Sequence, residues 1–127
     1  MSKKILVCDD EPHIRMLLEQ TLEDLEDEGV ELLVGTNGEE GLNIILESRP
    51  DLVFLDVMMP KMSGFEVCEK AKKEHGLDDV VIVLLTAKGQ EVDREKGLAA
   101  GANEYLTKPF DPDDIYDYAC ETLGIDA

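Results

Sequence analysis

The chain has 127 residues, 12 of them Lys or Arg and 30 Asp or Glu, for a formal net charge of −18. That length suits one domain, and a hydrophobic fraction of 43% argues against disorder despite the charge. The charge argues against nucleic acid and anionic membrane surfaces as partners; no apolar stretch reaches the ~18 residues of a membrane span, and the apolar run behind Lys3 and Lys4 is too short for a signal peptide.

Residues 4–8 are a short apolar run of strand formers. Ile14, Leu17, Leu18, Thr21, Leu22 and Leu25 then recur at helical spacing. Pro12 suits the first turn of that helix, Asp10 or Glu11 could cap it, and Gly29 marks its stop. Residues 30–34 predict a second strand, and Leu42, Ile45 and Leu46 a short second helix ending near Arg49 and Pro50. Residues 52–55 predict a third strand. Ser63-Gly64-Phe65-Glu66 reads as a capping box that opens a third helix carrying Phe65, Cys68 and Ala71. Residues 80–85 form the most apolar run, followed by a fourth helix over roughly 90–99 with Gly101 as its stop. Tyr105 and Leu106 belong to a short fifth strand. Asp111-Pro112 starts a fifth helix with Ile115, Ala119 and Leu123 on one face.

The pattern is β-α five times over. Strands one, three and four are continuous apolar runs rather than alternating ones, as expected when helices cover both faces of a parallel sheet. The expected fold is therefore α/β: a doubly wound, five-stranded parallel sheet with five helices, in one domain over residues 1–127. Cys8, Cys68 and Cys120 are odd in number and lack CxxC spacing, so they read as reduced thiols in a cytoplasmic protein.

In such a sheet, ligands bind beyond the carboxyl ends of the strands. Asp9, Asp10 and Glu11 follow the first run, Asp56 the third, Thr86 and the small Ala87 the fourth, and Lys108 with Pro109 the fifth. Each residue alone has a plain reading, as a turn, a cap, a strand end or a surface lysine. Together they do not. Two carboxylates ~4 Å apart repel by roughly 4 kcal/mol at an effective dielectric near 20, which a divalent cation would relieve. An all-oxygen donor set points to a hard ion, Mg²⁺ or Mn²⁺. A hydroxyl and a lysine beside it suit phosphoryl chemistry, with a carboxylate left as nucleophile; Asp56, alone at the end of the central strand, is the best candidate.

The residues Val7-Cys8-Asp9-Asp10-Glu11-Pro12, Leu55-Asp56-Val57-Met58-Met59-Pro60 with Met62-Ser63-Gly64, Leu85-Thr86-Ala87 and Tyr105-Leu106-Thr107-Lys108-Pro109-Phe110 occur in order. Over the whole chain they resemble the receiver domain of two-component response regulators, the CheY-like family. The resemblance implies that Asp9 and Asp10 hold Mg²⁺ together with Asp56 and the backbone carbonyl of Met58. It makes Asp56 the phosphoacceptor, with Thr86, Ala87 and Lys108 contacting the phosphoryl group. It also implies a Thr86–Tyr105 switch, in which the ring turns inward when the threonine moves, a cis peptide at Lys108-Pro109, and tuning of phosphoryl lifetime by Met58 and Lys88. Cys8 is the one departure in the opening block, where aliphatic residues are commoner, and little is expected of it.

The implied function is a signalling switch rather than a classical enzyme. It takes a phosphoryl group from a sensor histidine kinase or histidine phosphotransferase, catalyses that transfer itself, and drives a downstream protein target. The output surface would be the fourth helix, fifth strand and fifth helix, including Glu91, Arg94, Glu95, Leu98 and Tyr105. Residues 111–127 contain no Lys or Arg, so a monomer whose output face meets a basic patch is expected rather than a symmetric dimer. The fifth helix runs close to the end of the sequence, which leaves open a stand-alone receiver or part of a longer regulator. A haloacid-dehalogenase phosphatase would place a second Asp where Met58 stands, and a flavodoxin-like cofactor binder would need a phosphate loop where the acidic run stands. His13 and His75 read as exposed helix residues, the acidic run 23–31 as a solvated face, and Gly35, Gly38 and Gly41 do not form a dinucleotide fingerprint.

Overall fold

The computed structural model describes residues 3–87, 92–108 and 110–125. Its elements are β1 (Lys3–Cys8), α1 (Pro12–Leu22), a 3-10 helix (Glu23–Glu28), β2 (Val30–Gly35), α2 (Gly38–Ser48), β3 (Leu52–Asp56), α3 (Gly64–Glu69) continuing as a π-helical turn (Lys70–Glu74), β4 (Val81–Ala87), α4 (Val92–Ala99), β5 (Glu104–Lys108) and α5 (Pro112–Leu123). The five strands are parallel, in the order β2-β1-β3-β4-β5. The chain steps from β1 outward to β2, then crosses back to β3. That reversal opens the crevice at the carboxyl ends of β1 and β3.

Strand alternation sorts the core into two layers. Ile5, Val7, Leu52, Phe54, Val83 and Leu85 pack with Leu18 and Leu22 of α1 and Ile115, Ala119 and Leu123 of α5. Leu6, Cys8, Val53, Leu55, Ile82, Leu84 and Tyr105 face the other way, against Leu42 and Ile45 of α2 and Phe65, Val67 and Cys68 of α3. By the same parity Asp56 and Lys108 belong to the α1/α5 side of the sheet, and Thr86 and Tyr105 to the α2/α3 side.

Several local expectations shift. Helix α1 stops at Leu22, and Leu25 is buried from the following 3-10 helix rather than from a continued α-helix. The run Glu23–Glu28 is a 3-10 helix whose acidic side chains are all exposed, as a solvated face requires. Gly29 ends it at φ 85°. Neither Asp10 nor Glu11 caps α1: Glu11 stands at the cap position without a side-chain bond, and the Asp9 carboxylate instead accepts the Glu11 N–H. Helix α2 is longer than expected because Asn37 caps it, its Oδ1 accepting from Glu40 N at 2.9 Å. Ser63 caps α3 as expected, through Glu66 N at 3.2 Å. The end of α3 widens into a π-turn closed by His75 N–H on the Lys70 carbonyl at 3.0 Å. Asp111 caps α5, accepting from Asp113 N at 2.9 Å, and no Lys or Arg follows in that helix.

Two glycines bear on the site. A Cβ at Gly41 would lie 2.7 Å from Cys8 Sγ, so this glycine makes room for the buried thiol instead of cradling a phosphate. A Cβ at Gly64 would collide with the Asp56 backbone carbonyl. The bare residue therefore lets α3 start directly against the end of β3, with Gly64 N–H donating to Val57 O at 2.9 Å.

Candidate functional site

The ends of β1, β3 and β5 converge on one ammonium group. Lys108 Nζ lies 3.0 Å from Asp9 Oδ2, 3.2 Å from Asp56 Oδ1 and 3.9 Å from Glu11 Oε1. Strand β4 separates β3 from β5, so only a long side chain could close that gap. Asp9 is fully buried and Asp56 nearly so. Asp9 Oδ1 also accepts from Glu11 N at 2.9 Å, which bends the chain directly after β1 and turns Asp10 and Glu11 toward the same place. One carboxylate oxygen from each of Asp9, Asp10, Glu11 and Asp56 lies within 4.8 Å of the others. The four oxygens are hard donors with no His or Cys among them, which suits Mg²⁺ or Mn²⁺.

The electrostatics of the cluster are unbalanced. At 4.8 Å and an effective dielectric near 20, each carboxylate pair costs roughly 3 kcal/mol. Burial and the charge of Asp9 push the Asp56 carboxyl up to about 7, although Lys108 pulls the other way through its charge and hydrogen bond. Burial alone would lower Lys108, but its hydrogen bond to Asp9 and the charges of Asp56 and Asp9 carry it above its ordinary value. One lysine cannot neutralise four carboxylates, and a divalent cation would supply the charge that is short.

Thr86 is buried at the end of β4, paired in register with Thr107 of β5. Tyr105 is also buried, its ring in the layer with Leu84 and Phe65 and beside Gly97. The Met58 side chain is 65% exposed at the rim, two residues beyond Asp56. Lys88, Glu91, Pro109 and hence the Lys108-Pro109 peptide lie outside the described residues, as do the side chains of Ala87 and Arg94. His13 is exposed, 3.3 Å from Glu11 Oε2, as a surface helix residue should be.

One residue beside the site was not singled out by sequence reasoning, and one was named there without a role. Arg15 Nη1 donates to the Asp9 backbone carbonyl at 2.7 Å, and its only trace in the sequence is its isolation among acidic residues. Cys8 was named as a departure of little consequence; its thiol packs against Gly41, donates to the Asn37 carbonyl at 3.3 Å and lies 3.7 Å from Met59 Sδ. Burial, with the charges of Asp9, Glu40 and Asp56, raises that thiol to about 12, so it is an inert packing group.

The family model for the response regulator receiver domain matches residues 5–119. A Porphyra purpurea protein named "Probable transcriptional regulator ycf27" is 47% identical over 113 residues, covering 89% of this chain and 44% of that protein. The alkaline phosphatase synthesis transcriptional regulatory protein PhoP of Bacillus subtilis is 43% identical over 115 residues, covering 91% of this chain and 46% of its own length. The chain thus spans less than half the length of these relatives. The solved structure of the chemotaxis response regulator CheY4 of Vibrio cholerae superposes with a TM-score of 0.82 at 30% identity, covering 97% of this chain and all of that one.

Proposed function

We propose a phosphoryl-operated signalling switch centred on Asp56, taking as premise that the chain belongs to the response regulator receiver domain family. The observation that carries this reading is the Lys108 ammonium 3.2 Å from a nearly buried strand-end carboxylate, with three further carboxylates gathered within 4.8 Å. Residues 1–127 are read as one receiver domain. Asp56 attacks the phosphorus of a phosphohistidine on a sensor kinase or histidine phosphotransferase. The N–P bond breaks, an Asp56 Oδ–P bond forms, and the histidine leaves neutral after taking up a proton. Lys108 and the Thr86 hydroxyl, with the backbone at Ala87, hold the phosphoryl oxygens. Asp9, Asp10, Asp56 and the Met58 carbonyl would hold Mg²⁺, which neutralises charge developing on the transferred group. The domain catalyses its own modification and is otherwise a switch, not a turnover enzyme.

Thr86 and Tyr105 share one side of the sheet, so a shift of Thr86 toward the phosphoryl group is felt at the ring and at α4, β5 and α5. That output face carries the half-exposed Leu98 and the acidic α5, and suits a protein target with a basic patch. Among the described residues no helix is long and apolar enough to cross a membrane. Three free buried thiols fit the reducing cytoplasm.

The test is chemical. With Mg²⁺ and acetyl phosphate, intact-mass analysis should find one phosphoryl adduct, and Asp56→Asn should abolish it. An undiminished adduct on that variant overturns the assignment of Asp56.

A further inference from the structure

We infer that Arg15 is a positioning residue of the acidic loop: it holds the Asp9–Asp10 peptide so that the Asp10 carboxylate faces the cation site beside that of Asp9. This inference rests on the metal-site reading above. Arg15 is the sole Lys or Arg in residues 5–48, a stretch with 13 Asp and Glu residues. An arginine in such company would ordinarily be expected to pair with a carboxylate. Among the described residues none lies within ion-pair distance of it. The guanidinium reaches back from the first turn of α1 and donates Nη1–H to the Asp9 carbonyl at 2.7 Å, a short, charge-assisted bond.

The other polar atoms of Asp9 are already held. Its N–H donates to Gly35 O at 3.3 Å, Oδ1 accepts from Glu11 N at 2.9 Å, and Oδ2 accepts from Lys108 Nζ at 3.0 Å. The carbonyl is the remaining atom, and it belongs to the peptide plane that joins Asp9 to Asp10. Rotation of that plane would swing the Asp10 carboxylate while leaving Asp9 in its pocket. Arg15 blocks the rotation. It touches no reacting atom, and it acts on metal affinity only through this peptide.

A positioning role and a simple charge role predict opposite signs. As a charge alone, Arg15 repels a divalent cation, and its removal should tighten Mg²⁺ binding. As a positioning group, its removal should loosen it. The test is calorimetric titration with Mg²⁺ of wild type, Arg15→Gln, Arg15→Lys and Asp10→Asn, with metal-free thermal melts as the fold control. Arg15→Gln leaves a side chain too short to reach the Asp9 carbonyl from its place on α1, and its Kd should rise about tenfold, the low end for groups that orient metal ligands. Arg15→Lys keeps the charge with a blunter donor and should fall between. An unchanged or lower Kd for Arg15→Gln overturns the inference. If that variant does not fold, Arg15→Lys decides: a Kd more than about twofold weaker supports the role, and one equal to wild type overturns it. Asp10→Asn separates the two levels. If it loses Mg²⁺ while Arg15→Gln does not, the positioning role fails and the metal site stands; if it binds as wild type, the metal site itself is misread.

Discussion

Replacing the Asp56 carboxylate should stabilise the metal-free protein at alkaline pH. Folded Asp56 keeps its proton to about pH 7, whereas an unfolded aspartate releases it near 3.8. Between those values the folded state binds more protons, so stability falls as pH rises through that window. The gap of about 3 units, at ~1.4 kcal/mol each, makes the ionised group cost roughly 4 kcal/mol above pH 7. The neutral amide of Asp56→Asn escapes that cost, which is already net of the attraction of Lys108. The expectation for Asp56→Asn in a chelator at pH 8 is a gain of about 4 kcal/mol, or roughly 12–20 °C in melting temperature for a chain of this size. At pH 5 folded wild type holds its proton but the unfolded chain has released it, so the advantage should shrink to about 2 kcal/mol, and it should vanish below about pH 4. Saturating Mg²⁺ should reverse the order at pH 8, because only wild type offers the full set of carboxylates. Thermal melts by circular dichroism across this grid decide the matter. A variant that melts at or below wild type in chelator at pH 8 would refute the reasoning that the cluster is short of positive charge.

Further expectations concern packing, lifetime and assembly. Gly41→Ala drives a methyl against Cys8 Sγ and should cost about 1–3 kcal/mol in urea denaturation, while the double variant with Cys8→Ala should recover at least ~1 kcal/mol of that; strict additivity would show that the thiol is not the obstacle. Met58 cannot orient an attacking water by hydrogen bonding, so the Asp56 phosphoryl group should last minutes or longer in Mg²⁺ at neutral pH, and a half-life of seconds, followed by mass, would contradict this. The beryllofluoride-treated protein should remain monomeric by light scattering, since α5 offers acidic residues and no basic ones to pair across a two-fold axis; a tight dimer that Leu98→Glu or Asp114→Lys disrupts would reverse that reading.

The architecture was legible because its strands are apolar runs and its third and fifth helices start at recognisable caps, Ser63 and Asp111. Val53, Phe54 and Leu55 are wholly buried, as an uninterrupted apolar run in a covered sheet implies. The acidic centre was legible because the fold delivers strand ends to one edge, so Asp9, Asp56 and Lys108 could be joined without knowing a single distance. What was not legible depends on side-chain reach and backbone clearance. The bond of Arg15 to a carbonyl six residues back leaves no pattern beyond a lone cation among acids. The clearance at Gly64 and the thiol seat at Gly41 are relations between distant segments, which periodicity does not carry. The break of α1 at Leu22 was hidden because Leu25 keeps the helical spacing while the backbone tightens.

The alternation of the strands has a further consequence. A side chain cannot cross from one face of a sheet to the other without a slip of register that would turn a whole strand inside out. Asp56 and Lys108 therefore live on one side of a wall one residue thick, and Tyr105 on the other. The wall's interior is buried aliphatic carbon at Val53, Leu84 and Leu85, which offers no polar conduit. Whatever passes between the two chambers must go over the top, where β4 runs out at Thr86 and Ala87. The rooms on either side can be refurnished independently, and the lintel they share cannot.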